Sequence, residues 1–177
     1  MSLNEKVRTI AKNIKLLVLD VDGVLTDGGM YFDDKGTEHK KFHSQDGCGI
    51  KLLELTGVQV AVITARSTPS VAHRLDTLGV KNYYHGIQDK GIALKELAEK
   101  LSIDISESAF VGDDVIDLPA MSRVALPIAV ANAHPFVKEN ALMVTKNPGG
   151  SGAVREVCDF LLKSQNNYDD LMQSFLK

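Results

Sequence analysis

The chain of 177 residues has no tryptophan, only two cysteines and few aromatic residues, 6% in all. Cys48 and Cys158 stand far apart and form no Cys-x-x-Cys pair, so the sequence predicts neither a zinc site nor a disulfide framework. No apolar run approaches the length of a membrane span, and the amino end lacks a signal-peptide core. Because the formal net charge is -3, nucleic acid is not expected as a partner. We therefore expect a cytoplasmic protein without a membrane contact.

The composition, 44% hydrophobic and 24% charged, is that of an ordinary globular domain, and we expect residues 1–177 to form one. Strand-like and helix-like segments alternate, which predicts an α/β fold with a doubly wound, mainly parallel sheet and helices on both faces. The predicted strands are 14–19, 58–63, 80–84, 108–111, 125–130 and 142–144, and the predicted longer helices are 46–55, 70–78, 89–101 and 153–162. A polar tail at 163–177 is expected to end in a short docked helix.

The most informative segment is the acidic run from Asp20 to Gly28, directly after the first predicted strand. Asp20 and Asp22 are two residues apart, so both side chains face one site at the carboxyl end of that strand. Two adjacent carboxylates need a cation, which predicts a divalent metal with oxygen ligands and a phosphate substrate. In this interpretation Asp20 is a nucleophile that forms an aspartyl-phosphate, and Asp22 is the general acid and base.

Other predicted strands end in polar residues that fit the same chemistry. Asp113 is a candidate metal ligand, Asp114 either a weaker ligand or a helix cap, and Asp117 a supporting or structural residue. Thr64 offers a hydroxyl and backbone N–H groups near a helix start, as in phosphate sites. Lys90 opens a helix, where its charge opposes the helix dipole, which indicates a role in binding phosphate.

Residues 29–42 interrupt the strand–helix alternation. Two extended arms flank a turn at Asp33–Gly36, which predicts a β-hairpin. Met30, Tyr31 and Phe32 would be too exposed on an isolated hairpin, which is only marginally stable in water. We expect the hairpin to join several copies of the chain around a symmetry axis.

These features together resemble the haloacid dehalogenase superfamily of phosphotransferases. The matching residues are Asp20-x-Asp22-Gly23, Thr64, Lys90 and Gly112-Asp113-Asp114-x-x-Asp117. The resemblance implies a Rossmann-like fold and a Mg²⁺ ion held by Asp20, the backbone carbonyl of Asp22, and Asp113. It also implies the capless subclass, because residues 27–64 hold only the hairpin and one helix.

Three segments narrow the resemblance to the 3-deoxy-D-manno-octulosonate 8-phosphate phosphatases, over roughly residues 14–162. They are Asp20 to Gly28, Asp46-Gly47-x-Gly49-Ile50, and Gly149 to Glu156. The resemblance implies a magnesium-dependent homotetramer in which neighbouring subunits complete each active site. It also implies a phosphorylated eight-carbon sugar acid as substrate, whose product enters the lipopolysaccharide core of Gram-negative bacteria.

The same resemblance predicts the residues that contact the sugar acid. Arg66 and Arg74 match substrate arginines, and a guanidinium suits a carboxylate; Thr26 and Gly23, in the acidic run, are also predicted to bind substrate. Ala65 departs from the pattern, since the family usually has Thr-Gly-Arg where this chain has Thr-Ala-Arg.

Three alternatives stay open from the sequence. A phosphatase for a nine-carbon ulosonic acid phosphate would need only a different pocket. A receiver-type signalling domain also combines acids, Thr and Lys with magnesium, but Asp22 and the hairpin distinguish a hydrolase. A catalytically silent scaffold is disfavoured, because Asp20, Asp22, Lys90 and Asp113 are all present.

Overall fold

The computed structural model describes residues 2–177 and contains a six-stranded parallel sheet with a separate two-stranded antiparallel hairpin. The strands are β1 (Leu16–Leu19), β2 (Tyr31–Phe32), β3 (Glu38–His39), β4 (Gln59–Ile63), β5 (Asn82–Tyr84), β6 (Ser108–Gly112), β7 (Leu126–Ala129) and β8 (Met143–Val144). The main sheet has the order β5-β4-β1-β6-β7-β8, and the hairpin pairs β2 with β3. The predicted fold class is thereby confirmed, including the hairpin after the first strand.

The helices form two groups around the sheet. They are α1 (Leu3–Ala11), α2 (Ser44–Glu54), α3 (Pro69–Leu78), α4 (Lys90–Leu101), α5 (Leu118–Met121), α6 (Pro135–Glu139), α7 (Ala153–Ser164) and α8 (Tyr168–Ser174). Helix α7 packs against α1 and α2, whereas α4 packs against α5. Across residues 2–177, no helix combines the length and the apolar character needed to cross a membrane.

Helix α1 was not predicted from the sequence. Its apolar residues Leu3, Val7, Ile10 and Ala11 have helical spacing, and of these Val7 and Ala11 are buried. A capping box supports its first turn, because the Ser2 hydroxyl accepts from the N–H of Glu5 and the Glu5 carboxylate accepts from the N–H of Ser2. The strands and helices that were predicted lie within a few residues of their observed bounds.

Strand β1 occupies the centre of the sheet. All four of its residues are buried, and they pair in parallel register with both β4 and β6. The chain runs from β1 outward through β4 to β5 on one side and later through β6, β7 and β8 on the other. The carboxyl end of β1 is therefore the point where the strand order reverses, which is where open α/β sheets bind ligands.

Candidate active site

Three neighbouring strands end in polar residues at this edge of the sheet. Asp20 follows β1, Thr64 follows β4, and Asp113 follows β6. The N–H of Asp20 donates to the carbonyl of Val111 at 3.1 Å, which extends the β1–β6 pairing by one residue. Asp20 and Thr64 are buried, at 3% and 2% exposure. The polar residues that were predicted at the ends of separate strands thus lie along one edge of the main sheet.

Three carboxylates form a tight cluster at this edge. Asp20, Asp113 and Asp117 each place a carboxylate oxygen within 4.8 Å of the others. Burial, followed by the charge of Asp117, raises the pKa of Asp20 to about 8. Burial, followed by the charges of Asp117 and Asp114, raises the pKa of Asp113 to about 7. The cluster therefore disfavours its own ionisation and would be stabilised by added positive charge.

Lys90 supplies part of that charge. Its side chain is 1% exposed, and its Nζ lies 2.8 Å from Asp20 Oδ1 and 2.6 Å from Asp117 Oδ1. Burial alone would lower the pKa of Lys90, but the two carboxylates outweigh it and raise the pKa. The preceding Asp89 caps α4, because its side chain accepts from the N–H groups of Gly91 and Ile92. Lys90 therefore points a permanent positive charge at Asp20 from the start of a helix.

Asp117 hydrogen-bonds to both Lys90 and the loop that follows β6. It is fully buried; Oδ1 binds Lys90, while Oδ2 accepts from the N–H groups of Asp113 at 2.9 Å and Asp114 at 3.3 Å. Asp114 itself is exposed, and its side chain accepts from the N–H of Val115 to cap a short 3₁₀ turn. Asp117 thus fixes both Lys90 and the loop that carries Asp113, whereas Asp114 acts as a cap in this structure.

The segment after β1 is a tight turn that brings Asp22 back toward the sheet edge. Gly23 has a φ of 81°, and a Cβ on it would collide with the carboxylate of Asp113. Thr26 is 1% exposed, and its hydroxyl accepts from Gly23 N and Gly28 N and donates to the carbonyl of Val21. The hydroxyl that we predicted to bind substrate is thus used within the turn, and substrate contact by Thr26 stays a prediction.

The glycine-rich segment before α7 packs closely against the turn that follows β1. The N–H of Gly150 donates to the carbonyl of Val24 at 2.9 Å, and a Cβ on Gly149 would collide with the carbonyl of Gly23. From the sequence, this segment was known only as part of the family resemblance. Its glycines are required because two backbones approach each other here more closely than a side chain would permit.

Thr64 begins the loop between β4 and α3. Its N–H donates to the carbonyl of Tyr84 at 2.9 Å, and its hydroxyl accepts from the N–H of Arg66 at 3.3 Å. Helix α3 begins only at Pro69. The N–H groups of Thr64 and Arg66 are thus used within the fold, and the segment after Thr64 is a loop rather than the first turn of a helix.

The hairpin folds over Asp22 in the same chain, which the sequence analysis did not predict. Lys40 Nζ lies 2.5 Å from Asp22 Oδ1 and 2.7 Å from Glu38 Oε1. Glu38 Oε2 accepts from Arg66 Nη2 at 2.7 Å, and Arg66 Nε lies 4.0 Å from Asp22 Oδ2. Arg66 therefore lies beside the predicted acid–base residue. The only sequence signal was the position of the hairpin directly after the acidic run.

Arg74 has different surroundings. Its guanidinium packs against α2 at Gly47, where a Cβ would collide with it. Among the described residues, no side-chain hydrogen bond or ion pair joins Arg74 to the carboxylate cluster. Nearby, Asp46 accepts from the N–H of Arg155 at 2.8 Å at the start of α7. The segment around Asp46 and Gly47 thus docks helices and shapes the space for Arg74.

The site residues fit Mg²⁺. Three carboxylates face one ammonium, so the cluster retains an excess of negative charge. Carboxylate and carbonyl oxygens are the ligands that Mg²⁺ prefers, whereas softer metals prefer nitrogen or sulfur. Asp20 and Asp113 are the candidate side-chain ligands, and Asp117 lies within reach although both its oxygens already accept hydrogen bonds.

Sequence comparisons identify relatives along nearly the whole chain. A family model described as haloacid dehalogenase-like hydrolase matches residues 85–157. The 3-deoxy-D-manno-octulosonate 8-phosphate phosphatase KdsC of Salmonella typhi is 48% identical over 93% of this chain and 87% of its own length. The enzyme of the same name from Escherichia coli K12 is also 48% identical, over 90% of this chain and 85% of its length.

Solved structures of phosphatases also match this chain along nearly its whole length. The 3-deoxy-D-manno-octulosonate 8-phosphate phosphatase of Moraxella catarrhalis, in complex with magnesium, phosphate and KDO, matches with a TM-score of 0.95 and 41% identity, covering 98% of this chain and 99% of that one. A cobalt-bound phosphatase from Haemophilus influenzae matches with a TM-score of 0.90 and 39% identity, covering 95% and 99%.

Proposed function

Because this chain belongs to the 3-deoxy-D-manno-octulosonate 8-phosphate phosphatase family of the haloacid dehalogenase-like hydrolases, we propose that it hydrolyses that phosphorylated sugar acid. The products are the free eight-carbon sugar acid and inorganic phosphate, and by family resemblance the sugar acid enters the lipopolysaccharide core. The observation that carries the proposal is Asp20, a buried carboxylate 2.8 Å from Lys90 within the Asp20–Asp113–Asp117 cluster.

Asp20 is the nucleophile. Its carboxylate attacks phosphorus, the bond between phosphorus and the sugar oxygen breaks, and Asp22 donates a proton to that leaving oxygen. Asp22 then takes a proton from water, whose oxygen attacks the phosphorus of the aspartyl-phosphate. The bond from Asp20 to phosphorus breaks, which releases inorganic phosphate and restores the carboxylate.

The remaining residues bind the metal ion and the phosphate group and orient them for the reaction. When bound by Asp20, Asp113 and the backbone carbonyl of Asp22, Mg²⁺ neutralises charge on the transferring phosphoryl group. Lys90 holds Asp20 Oδ1 in place and adds positive charge on the phosphate side, and the Thr64 hydroxyl with the N–H of Ala65 binds phosphate oxygens.

Arg66, beside Asp22, is placed to bind the carboxylate of the sugar acid, and its planar guanidinium suits that group. Arg74 is assigned to the same substrate from the family resemblance. Gly23 contributes backbone groups next to Asp113, as its close approach to that carboxylate supports.

We further propose that the chain forms a tetramer through the hairpin. Met30, Tyr31 and Phe32 are 50%, 45% and 58% exposed on a two-residue-per-strand hairpin, and packing copies together would cover them. A neighbouring subunit would then also cover the open, capless site. A cytoplasmic location is proposed because Cys48 and Cys158 are both free thiols.

The test is phosphate release from a panel of phosphorylated sugar acids of eight and nine carbons, with Mg²⁺ present. The eight-carbon substrate should have the highest kcat/KM. Asp20→Asn should retain less than about a hundredth of the activity, because the nucleophile is lost. Asp34→Asn, which changes an exposed carboxylate in the hairpin turn, is the matched control and should retain full activity. A preference for the nine-carbon acid would overturn the substrate assignment.

A further inference from the structure

We propose that Lys40, in the hairpin of the same chain, is a positioning residue that orients the carboxylate of Asp22 for proton transfer to the leaving group. This inference rests on the proposed role of Asp22. It assigns the hairpin a role in the chemistry of its own subunit, in addition to any contact that it makes with other copies.

The burial of Lys40 sets it apart from its neighbours in the chain. Its side chain is 1% exposed, whereas those of His39 and Lys41 are 63% and 64% exposed. Lysine is almost never fully buried unless its charge is paired, and fixing its long side chain costs up to about 2 kcal/mol of rotamer entropy. The two carboxylates of Asp22 and Glu38 supply that pairing.

Strand geometry explains why Lys40 faces the site. Side chains alternate along an extended segment, so Glu38 and Lys40 point to one side and His39 and Lys41 to the other. The base of the hairpin is fixed next to the turn that follows β1 by an antiparallel bridge between Thr26 and Phe42. This register aims Lys40 at Asp22 and leaves Lys41 at the surface, 3.5 Å from Asp27.

The contact leaves one oxygen of Asp22 available. Oδ1 accepts from Lys40, whereas Oδ2 lies 4.0 Å from Arg66 Nε, which is too far for a hydrogen bond. Oδ2 is therefore the oxygen that can exchange a proton with the substrate. Glu38 holds the arrangement together, because its two oxygens bind Lys40 and Arg66 at 2.7 Å each.

The decisive experiment compares leaving groups. An alkyl phosphate, such as the sugar-acid phosphate, needs a proton on its leaving oxygen, whereas 4-nitrophenyl phosphate releases a stable anion without one. The ratio kcat/KM reports the steps up to formation of the aspartyl-phosphate. Lys40→Met should lower kcat/KM at least about 10-fold for the alkyl phosphate, a part of the 10²- to 10⁴-fold effect of a general acid, and less than about 3-fold for the aryl phosphate.

Four further variants complete the test. Lys41→Met, the exposed neighbour, should leave both substrates unaffected, and Lys40→Arg should recover much of the alkyl activity because it keeps the charge. Asp22→Asn should show the same leaving-group dependence in stronger form. Adding Lys40→Met to Asp22→Asn should cause no further loss, because the lysine acts through that aspartate.

The outcomes separate the two hypotheses. If Asp22→Asn slows alkyl and aryl phosphates equally, the assigned role of Asp22 is wrong, and the role of Lys40 fails with it. If Asp22→Asn discriminates between them but Lys40→Met slows both equally, or slows neither, only the inference about Lys40 is overturned. A multiplicative loss in the double variant would also overturn it.

Discussion

In the absence of divalent cations, the free energy of unfolding of the protein should fall as the pH rises from 3.8 to about 8. The folded-state pKa of Asp20 is raised from 3.8 to about 8, and that of Asp113 to about 7. In that window the folded protein binds more protons than the unfolded chain, so the free energy of unfolding falls as the pH increases. Carboxyl groups with lowered pKa values, such as Asp33 and Asp104, change stability only at lower pH.

The magnitude follows from the width of the window. Each pH unit between the two pKa values of one group changes the free energy of unfolding by about 1.4 kcal/mol. As the pH rises from about 5 to about 7, ionisation of Asp20 alone would lower the free energy of unfolding of the metal-free protein by roughly 3 kcal/mol. Because Asp20 and Asp113 lie in one cluster, their protons leave in steps that belong to the pair, and the figure for Asp20 sets the scale expected for both. A chain of this length loses about 2–4 °C of Tm per kcal/mol, which gives a decrease of roughly 6–12 °C.

The assay is thermal unfolding followed by circular dichroism, in a chelator, across this pH range. Asp20→Asn removes one negative charge from the cluster, so it should flatten the pH dependence and raise the Tm of the metal-free protein near the upper end. Asp34→Asn should leave the pH dependence unchanged. Saturating Mg²⁺ should abolish most of it, because the ion binds only the folded state. A metal-free Tm that stays constant or rises with pH would refute the reasoning.

Further predictions concern the metal, the catalytic turn and the hairpin. Mg²⁺ affinity, measured by calorimetry, should increase as the pH rises through the pKa values of Asp20 and Asp113, since binding displaces protons; constant affinity would contradict this. Gly23→Ala and Gly79→Ala both force alanine to a φ of 81°, but only at Gly23 would the new Cβ meet the Asp113 carboxylate. Gly79→Ala should lose about 1–2 kcal/mol of stability and Gly23→Ala at least as much, and only Gly23→Ala should also lose phosphatase activity. Phe32→Asp should yield monomers by light scattering; a tetrameric variant would exclude the hairpin as the contact.

The strand ends were predictable because the relevant information is local. A short buried strand followed by Asp20-x-Asp22-Gly23 specifies two carboxylates on one side of the chain. The alternation of strands and helices then specifies a parallel sheet, and parallel strands end at a common edge. The hairpin could be predicted for the same reason, since the turn at Asp33–Gly36 encodes it directly.

The role of Asp117 could be predicted only in part. Its position four residues after Asp113 allowed a supporting or a structural role. Its two oxygens bind Lys90 and the backbone of Asp113 and Asp114, and that choice depends on how α4 packs beside the end of β6. Helix α1 was missed although Leu3, Val7, Ile10 and Ala11 have helical spacing, so this local signal was present in the sequence.

The sequence by itself determined the fold class, the acidic run and the residues at each strand end, because these follow from short-range patterns of burial and chain direction. Only the tertiary structure decided that Lys40 is buried against Asp22 while Lys41 is exposed, and that Gly150 donates to Val24 in the turn after β1. These contacts join residues 18 to 126 positions apart, and their geometry depends on the packing of whole elements, which a local pattern does not specify.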